Sequence, residues 1–260
     1  MRRFFLLPLL ASTCMLTNLL LQAQSAEDAL HAPDGNAREM IVSIFISPLA
    51  GAPFQANLDT EWTKHLPDGS SKTVRNHRLI IRDAQGRIYQ ERRTLVPDGG
   101  TQESRVFRIE ISSPINHTKY FCDPSLSRCE LRDYNVPVSE AVQPVGAFDN
   151  GKRYLSRARL GTKTMFGVEV IGTRETVTLG EGTAGNTAPI DFTKEFWYSP
   201  KLGINLEVSR FDPLHGDQIF TVSSLSLGEP DARLFVLPSS TKVVDMREKT
   251  AQASTAASTH

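Results

Sequence analysis

The sequence predicts a mainly β protein, folded as an open antiparallel half-barrel of about 10 or 11 strands with one short N-terminal helix. Three observations favour this class. From Phe54 to His65, apolar and polar side chains alternate with a period of two, which is typical of a strand with one buried face. The alternating segments that follow are joined by turns rich in Gly, Asp and Pro. Connections this short join antiparallel neighbours, because a parallel crossover needs a longer segment.

The chain begins with the features of a secretory signal peptide over residues 1–26. A basic pair, Arg2–Arg3, precedes the apolar run Phe4–Leu21, and small residues follow it. The alternative is an uncleaved membrane anchor, for which about 18 residues interrupted by polar ones are marginal. We therefore expect an exported protein, periplasmic or extracellular, with no transmembrane segment in the mature chain.

An N-terminal segment, residues 27–52, precedes the predicted sheet. Within it, Asn36–Ser47 suits two structures, because Met40, Ile41 and Ile44 recur at helical spacing whereas residues 41–46 would also suit a strand. We favour a short helix that covers one face of the sheet.

The β half-barrel domain is predicted over residues 53–238. A loop is expected over residues 136–152, and a short helical turn near Pro230 would lay Leu234 and Phe235 on the core. Residues 239–260 lack apolar side chains to bury and are expected to be a disordered tail. The strands are expected at about 54–65, 71–82, 87–96, 104–112, 117–122, 129–135, 155–165, 167–179, 191–198, 203–211 and 217–227.

The charge balance excludes one large class of partners. The chain carries 29 basic and 29 acidic residues, and losing Arg2 and Arg3 with the leader would leave a net charge of −2. A protein so close to neutral has no overall field with which to hold a polyanion. Nucleic acid is therefore not an expected partner.

Two of the three cysteines are predicted to form a disulfide. Cys14 lies in the leader, whereas Cys122 and Cys129 frame a turn between two predicted strands. In an exported chain, two cysteines at this spacing are typical of a structural disulfide. The alternative is a redox pair, but redox centres favour a Cys-x-x-Cys spacing at the start of a helix.

Basic residues concentrate in the second to fourth predicted strands and suggest a candidate ligand face. One hypothesis is that this face meets an anionic headgroup or an acidic partner. The alternative, which we favour from the sequence, is a solvated strand face whose charges pair across the barrel. The candidate residues are Arg75, Arg78, Arg82, Arg92, Arg93 and Arg108.

No catalytic residue, metal ligand or cofactor is predicted. The segment Asp212–Asp217 contains two carboxylates and His215, but its spacing fits a hairpin turn better than a metal site. Motifs for nucleophilic catalysis, zinc proteases and phosphate-binding loops do not occur. A hydrolase whose catalytic residues are dispersed along the sequence is the least favoured alternative.

Several stretches together resemble a family of uncharacterised secreted bacterial β-proteins. That resemblance spans most of residues 48–238 and implies no site residues, because the family has no assigned biochemical role. The stretches are Pro48–Phe54, Arg82–Arg87, Glu91–Arg93, Tyr120–Pro124, Gly172–Arg174, Glu195–Pro200 and Gly228–Asp231 with Phe235 and Pro238.

A fainter resemblance is to outer-membrane lipoprotein carriers of the LolA kind and to RseB-like sensor domains. It rests on the strand-rich layout, on Trp197–Pro200 and on the closing pattern Pro-Asp-x-x-x-Phe-x-x-Pro at Pro230–Pro238. This likeness implies an open half-barrel whose concave face, lidded by helices, holds acyl chains. The present chain departs from that pattern in having only one plausible short helix.

These observations together favour an exported, non-catalytic binding module. Its expected partner is a lipid or a lipidated envelope protein. The alternative is a protein-interaction or envelope-signalling module that uses the basic sheet face.

Overall fold

The structure is a computed structural model that describes residues 31–32, 44–136 and 142–247. In that part of the chain, fourteen strands form one open sheet. The predicted leader, residues 1–26, lies outside the described residues. The first seven strands are β1 (Phe54–His65), β2 (Ser71–Arg82), β3 (Ile88–Arg93), β4 (Val96–Pro97), β5 (Val106–Ser113), β6 (Thr118–Cys122) and β7 (Arg128–Asp133). They are followed by β8 (Gly146–Phe148), β9 (Arg153–Met165), β10 (Val168–Leu179), β11 (Ile190–Ser199), β12 (Ile204–Phe211), β13 (Asp217–Leu227) and β14 (Lys242–Asp245).

Two meanders meet at the centre of the sheet. β1 pairs with both β2 and β13, so an N-terminal half-sheet (β1–β7) lies beside a C-terminal half-sheet (β8–β13). The strand order is β14-β7-β6-β5-β3-β2-β1-β13-β12-β11-β10-β9-β8, and β4 pairs with β2. Within the described ranges every pairing is antiparallel except that of β14 with β7. The prediction of a mainly β, open sheet is confirmed.

The hydrophobic core changes from one face of the sheet to the other at β2. We call face A the face that carries Phe54 and Leu58 of β1, and face B the opposite one. Ile80 and Ile81 are neighbours on β2 and are both fully buried, the first on face A and the second on face B. The core on face A includes Phe54, Leu58, Ile80, Phe196, Val208 and Phe220. The core on face B includes Ile81, Tyr89, Ile109, Ile111, Cys122, Cys129 and Phe235.

The segment after β13 covers face B of the N-terminal half-sheet. A single 3-10 turn, Ala232–Phe235, begins at Asp231, whose carboxylate accepts a hydrogen bond from the Arg233 backbone N–H. Phe235 and its neighbour Leu234 then pack into the core on face B. Because β5, β6 and β7 bury their apolar residues on face B, their face A carries mostly polar and charged side chains.

Three predictions about connecting segments are corrected. The helix over Asn36–Ser47 is not found: residues 44–47 are not helical, and residues 36–43 lie outside the described residues. The predicted loop 136–152 contains the short strand β8, and the predicted tail 239–260 contains β14, which pairs with β7. Short strands such as these have too few residues to show an alternating pattern in the sequence. The described part of the chain contains no helix that could span a bilayer.

Candidate functional site

The six arginines of the predicted basic face are divided between the two faces of the sheet. Strand register places Arg78, Arg82, Arg92 and Arg108 on face A, and Arg75 and Arg93 on face B. On face B, Arg75 pairs with Asp98 at 3.0 Å and Arg93 pairs with Glu91 at 2.8 Å. These two residues therefore do not lie on the same face as the other four, of which Arg78 and Arg82 are buried.

Arg82 is a structural residue and has no exposed surface. Its guanidinium donates hydrogen bonds to the backbone carbonyls of Ser47 (2.7 Å), Leu202 (2.6 Å) and Ala52 (2.7 and 3.0 Å). Burial lowers the pKa of Arg82 to about 10, so the side chain stays charged at neutral pH. It holds the segment before β1 and the turn before β12 against the sheet, and a ligand cannot reach it.

Buried Glu110 is the centre of the charged cluster on face A of the N-terminal half-sheet. Arg92 Nε and Arg108 Nη2 lie 3.0 and 2.7 Å from its Oε1 atom, and Lys119 Nζ lies 3.0 Å from Oε2. Gln90 also donates to Oε2, at 3.0 Å. The Glu110 side chain is 1% exposed, whereas those of Arg92, Arg108 and Lys119 are 21%, 36% and 23% exposed. A buried carboxylate thus organises three cations that reach the surface.

The environment of Glu110 keeps it ionised. Burial on its own would raise the pKa of this carboxyl group, but Arg92, Lys119 and Arg108 outweigh it and lower the pKa to about 2. At neutral pH the cluster therefore carries a full negative charge at its centre. Three cations around one carboxylate leave a net charge of +2.

Phe121 lies beside the cluster and is surrounded by cations. The Lys119 ammonium and the Arg108 and Arg132 guanidinium groups lie 4.7, 5.1 and 5.4 Å from the centre of its ring. A shallow cavity of about 400 Å³ adjoins them and is also lined by Phe107, which is 53% exposed. We call Arg92, Arg108, Lys119, Phe121 and Arg132, grouped around Glu110, the basic–aromatic face.

The arrangement is suited to binding an anion. Guanidinium and ammonium groups carry more N–H donors than one carboxylate can accept, so donors remain for phosphate or carboxylate oxygens. Because Glu110 already orders the cations, less side-chain entropy is lost when a ligand binds.

The sequence pattern predicted Arg92 and Arg108 for this site but not Glu110, Lys119, Phe121 and Arg132. Their side chains meet because Glu110 lies opposite Phe121, which in turn lies opposite Glu130 on β7, with Lys119 opposite Arg132. The period-two alternation within each strand was the available signal. The alignment of neighbouring strands could not be predicted from this alternation, because it depends on the turns.

A larger cavity lies on face B under the segment between β3 and β5. Its volume is about 800 Å³, and Asp59, Glu61, Arg75, His77 and Glu103 are among its lining residues. These charged walls do not suit an acyl chain. On face A, the apolar side chains of the C-terminal half-sheet pack against Ile44 and Ile46 from the segment before β1.

The residues around His215 form the predicted turn. The Asp212 carboxylate accepts hydrogen bonds from the backbone N–H groups of Leu214 and His215, and the His215 ring lies 3.0 Å from it. This is the bonding of an Asx turn. In the described ranges, no group of three or more His, Cys, Asp or Glu side chains is placed to hold a metal ion.

Cys122 and Cys129 form the predicted disulfide, as directly opposed residues of the β6–β7 hairpin. Both cysteines are buried in the core on face B. Asp123 closes the turn between them by accepting hydrogen bonds from the backbone N–H groups of Ser125, Ser127 and Arg128.

Several solved structures match the chain at low sequence identity. No protein-family model and no curated protein matches it. An uncharacterized conserved protein from Thermus thermophilus is 8% identical, with a TM-score of 0.36, over 88% of this chain and 99% of its own. MucB in the Pseudomonas aeruginosa MucA/MucB complex is 14% identical, with a TM-score of 0.34, over 74% of this chain and 58% of its own. A LolA superfamily protein from Nitrosomonas europaea is 12% identical, with a TM-score of 0.30, over 72% of this chain and 91% of its own. The chain thus spans less than two thirds of MucB, and the matches include the superfamily that the fainter sequence resemblance named.

Proposed function

We propose that this protein is a non-catalytic binding module whose basic–aromatic face recognises the anionic headgroup of an envelope lipid. The observation that carries the proposal is the cluster at Glu110, where one buried carboxylate holds three partly exposed cations with a net charge of +2. Phosphate oxygens accept hydrogen bonds from such groups, and arginine can bind them with two parallel bonds.

The aromatic residues favour a lipid over a soluble anion. Phe107 is 53% exposed, and the Arg108 guanidinium lies 5.8 Å from the centre of its ring. Exposed aromatic side chains next to basic ones are typical of surfaces that lie at a lipid–water boundary. In this proposal the cations contact headgroups while Phe107 enters the interface.

The same proposal includes export. The predicted leader directs the chain out of the cytoplasm. The Cys122–Cys129 disulfide supports an oxidising compartment, where such bonds persist. A periplasmic or extracellular location would bring the basic–aromatic face to envelope lipids.

Vesicle co-sedimentation tests the proposal. We expect the protein to bind vesicles that contain phosphatidylglycerol and not vesicles of phosphatidylcholine alone. The double variant Arg108→Glu, Arg132→Glu should bind the anionic vesicles roughly 30-fold more weakly or worse, since each basic residue near a membrane contributes about 1 kcal/mol.

The matched control reverses the same charge elsewhere. Arg75 and Arg153 have exposed side chains outside the basic–aromatic face, and each pairs with one aspartate. The double variant Arg75→Glu, Arg153→Glu should retain binding. Equal loss in both double variants, or equal binding to neutral vesicles, would contradict the proposal. Binding only to an acidic protein would instead support the interaction-module alternative.

A further inference from the structure

Residues 31–32 lie on face A of the C-terminal half-sheet, far along the chain from the strands that hold them. The Ala32 backbone N–H donates to Asn205 Oδ1 at 3.1 Å, and Asn205 Nδ2 donates to the Ala32 carbonyl at 3.3 Å. Asn205 is 1% exposed. One side-chain amide thus satisfies both backbone polar groups of Ala32, which is recognition of main chain and not of side chain.

The preceding residue, His31, is held by its ring. The imidazole stacks on Phe196, with the ring centres 4.0 Å apart and the planes 8° from parallel. Its Nε2 atom lies 3.4 Å from Glu175 Oε1, and its Nδ1 atom lies 2.8 Å from the Ala32 carbonyl oxygen. The strands therefore present an aromatic platform with an acceptor at its edge.

A buried donor beside this platform is left without a partner. Arg157 Nε donates to Glu175 Oε1 at 2.6 Å, and the Arg157 side chain is 3% exposed. Its Nη1 atom is buried and has no hydrogen-bond partner among the described residues. Such an atom is costly to leave unsatisfied, so an acceptor that His31 and Ala32 do not supply would be stabilising there.

We propose that Asn205, Phe196, Glu175 and Arg157 form a binding site for an extended peptide that carries a histidine followed by a small residue, and that the chain's own His31–Ala32 occupies this site as a tethered ligand. The contacts are made by side chains and not by strand pairing, so the segment can leave without breaking the sheet. A peptide that also supplies an acceptor to Arg157 Nη1 would satisfy a group that the tethered segment leaves unpaired. This site lies on the C-terminal half-sheet, whereas the basic–aromatic face lies on the N-terminal half-sheet. The inference therefore does not depend on the proposed lipid binding.

Peptide binding to the full chain tests the inference. The probe is a fluorescently labelled peptide with the chain's own sequence from residue 27 to residue 36. The substitution Ala32→Pro removes the N–H that Asn205 accepts, so it weakens the tethered ligand. By fluorescence anisotropy, we expect the Ala32→Pro protein to bind the probe at least about 10-fold more tightly than the unaltered protein, whose own segment competes at high effective concentration.

Three further measurements decide whether the site is the proposed one. Adding Asn205→Ala to the Ala32→Pro protein should weaken probe binding at least about 10-fold. A probe with alanine in place of histidine should bind the Ala32→Pro protein more weakly by a similar factor. Asn205→Asp, which keeps the acceptor and loses the donor, guards against misfolding of the alanine variant and should give a smaller loss.

No saturable binding to the Ala32→Pro protein up to about 1 mM probe, or equal binding by the two probes, would overturn the inference. Vesicle binding by the Ala32→Pro protein should be unchanged. Failure of the peptide site and failure of the lipid proposal are thus distinguishable.

Discussion

Arg82 and Glu110, two of the buried charged residues of the N-terminal half-sheet, are compensated in different ways. Arg82 donates to backbone carbonyls, and it fixes the segment before β1. Glu110 bonds to cations that reach the surface. Removing either would leave buried groups without partners, which is costly. Of the two, Glu110 is the one that determines the charge of an exposed surface.

Stability should depend on the ionisation of Glu110. Its pKa of about 2 in the folded state lies below the ordinary value of 4.5, so its contribution is present above about pH 5 and is lost as the pH falls towards 2. The shift corresponds to about 3 kcal/mol. We expect Glu110→Gln to lower the free energy of unfolding by a comparable amount at pH 7, measured by urea denaturation, and to flatten its decrease between pH 5 and 2.

The control for this prediction is Glu130→Gln. The Glu130 side chain is 38% exposed and pairs with Arg132 at 2.8 Å. An exposed pair contributes less than about 1 kcal/mol, so this variant should keep most of the pH dependence. If both variants respond to pH as the unaltered protein does, Glu110 does not have this role.

Among the elements, the disulfide hairpin is also where β14 attaches. β14 lies parallel to β7, the Thr241 hydroxyl donates to the Leu126 carbonyl at 2.7 Å, and the Lys242 N–H donates to the Ser127 carbonyl at 2.9 Å. The attachment therefore depends on the turn that the disulfide closes.

Reduction of the disulfide should loosen two segments at once. Closing a loop of this size stabilises by about 2.5 kcal/mol on the chain-entropy account. We expect amide hydrogen exchange to become faster in β6, β7 and β14 after reduction, while β10–β12 keep their protection. Unchanged exchange in β14, or faster exchange throughout the sheet, would contradict this coupling.

The strands differ in how well the sequence alone predicts them. β1 was predictable because one of its faces is exposed to solvent, so apolar and polar residues alternate over Phe54–His65. The run Leu79-Ile80-Ile81 breaks the alternation because β2 is buried on both faces. The grouping at Glu110 was not predictable, because it depends on the register of four strands. A shift of one residue in the register of a strand would move its side chains to the opposite face of the sheet.

At the scale of the whole molecule, two cores on opposite faces share the central strands. β2 contributes Ile80 to the core on face A and Ile81 to the core on face B, and both side chains are 0% exposed. β1 joins the two half-sheets through its pairing with β2 and β13. This arrangement predicts that the cores unfold together, because neither can lose its packing without disturbing strands on which the other depends.

Phe235→Ala tests that cooperativity. Phe235 is 9% exposed and covers the core on face B, so its truncation should lower the free energy of unfolding by about 3 kcal/mol. The neighbouring Val236 is 61% exposed, and Val236→Ala should change the free energy by less than about 0.5 kcal/mol. In urea, with the second tryptophan removed by Trp62→Phe, fluorescence should follow Trp197, which packs against the core on face A. Hydrogen exchange should follow β6 beside the core on face B. The two midpoints should fall together in the Phe235→Ala protein, since the shared strands couple the cores; separate midpoints would show that the half-sheets unfold independently.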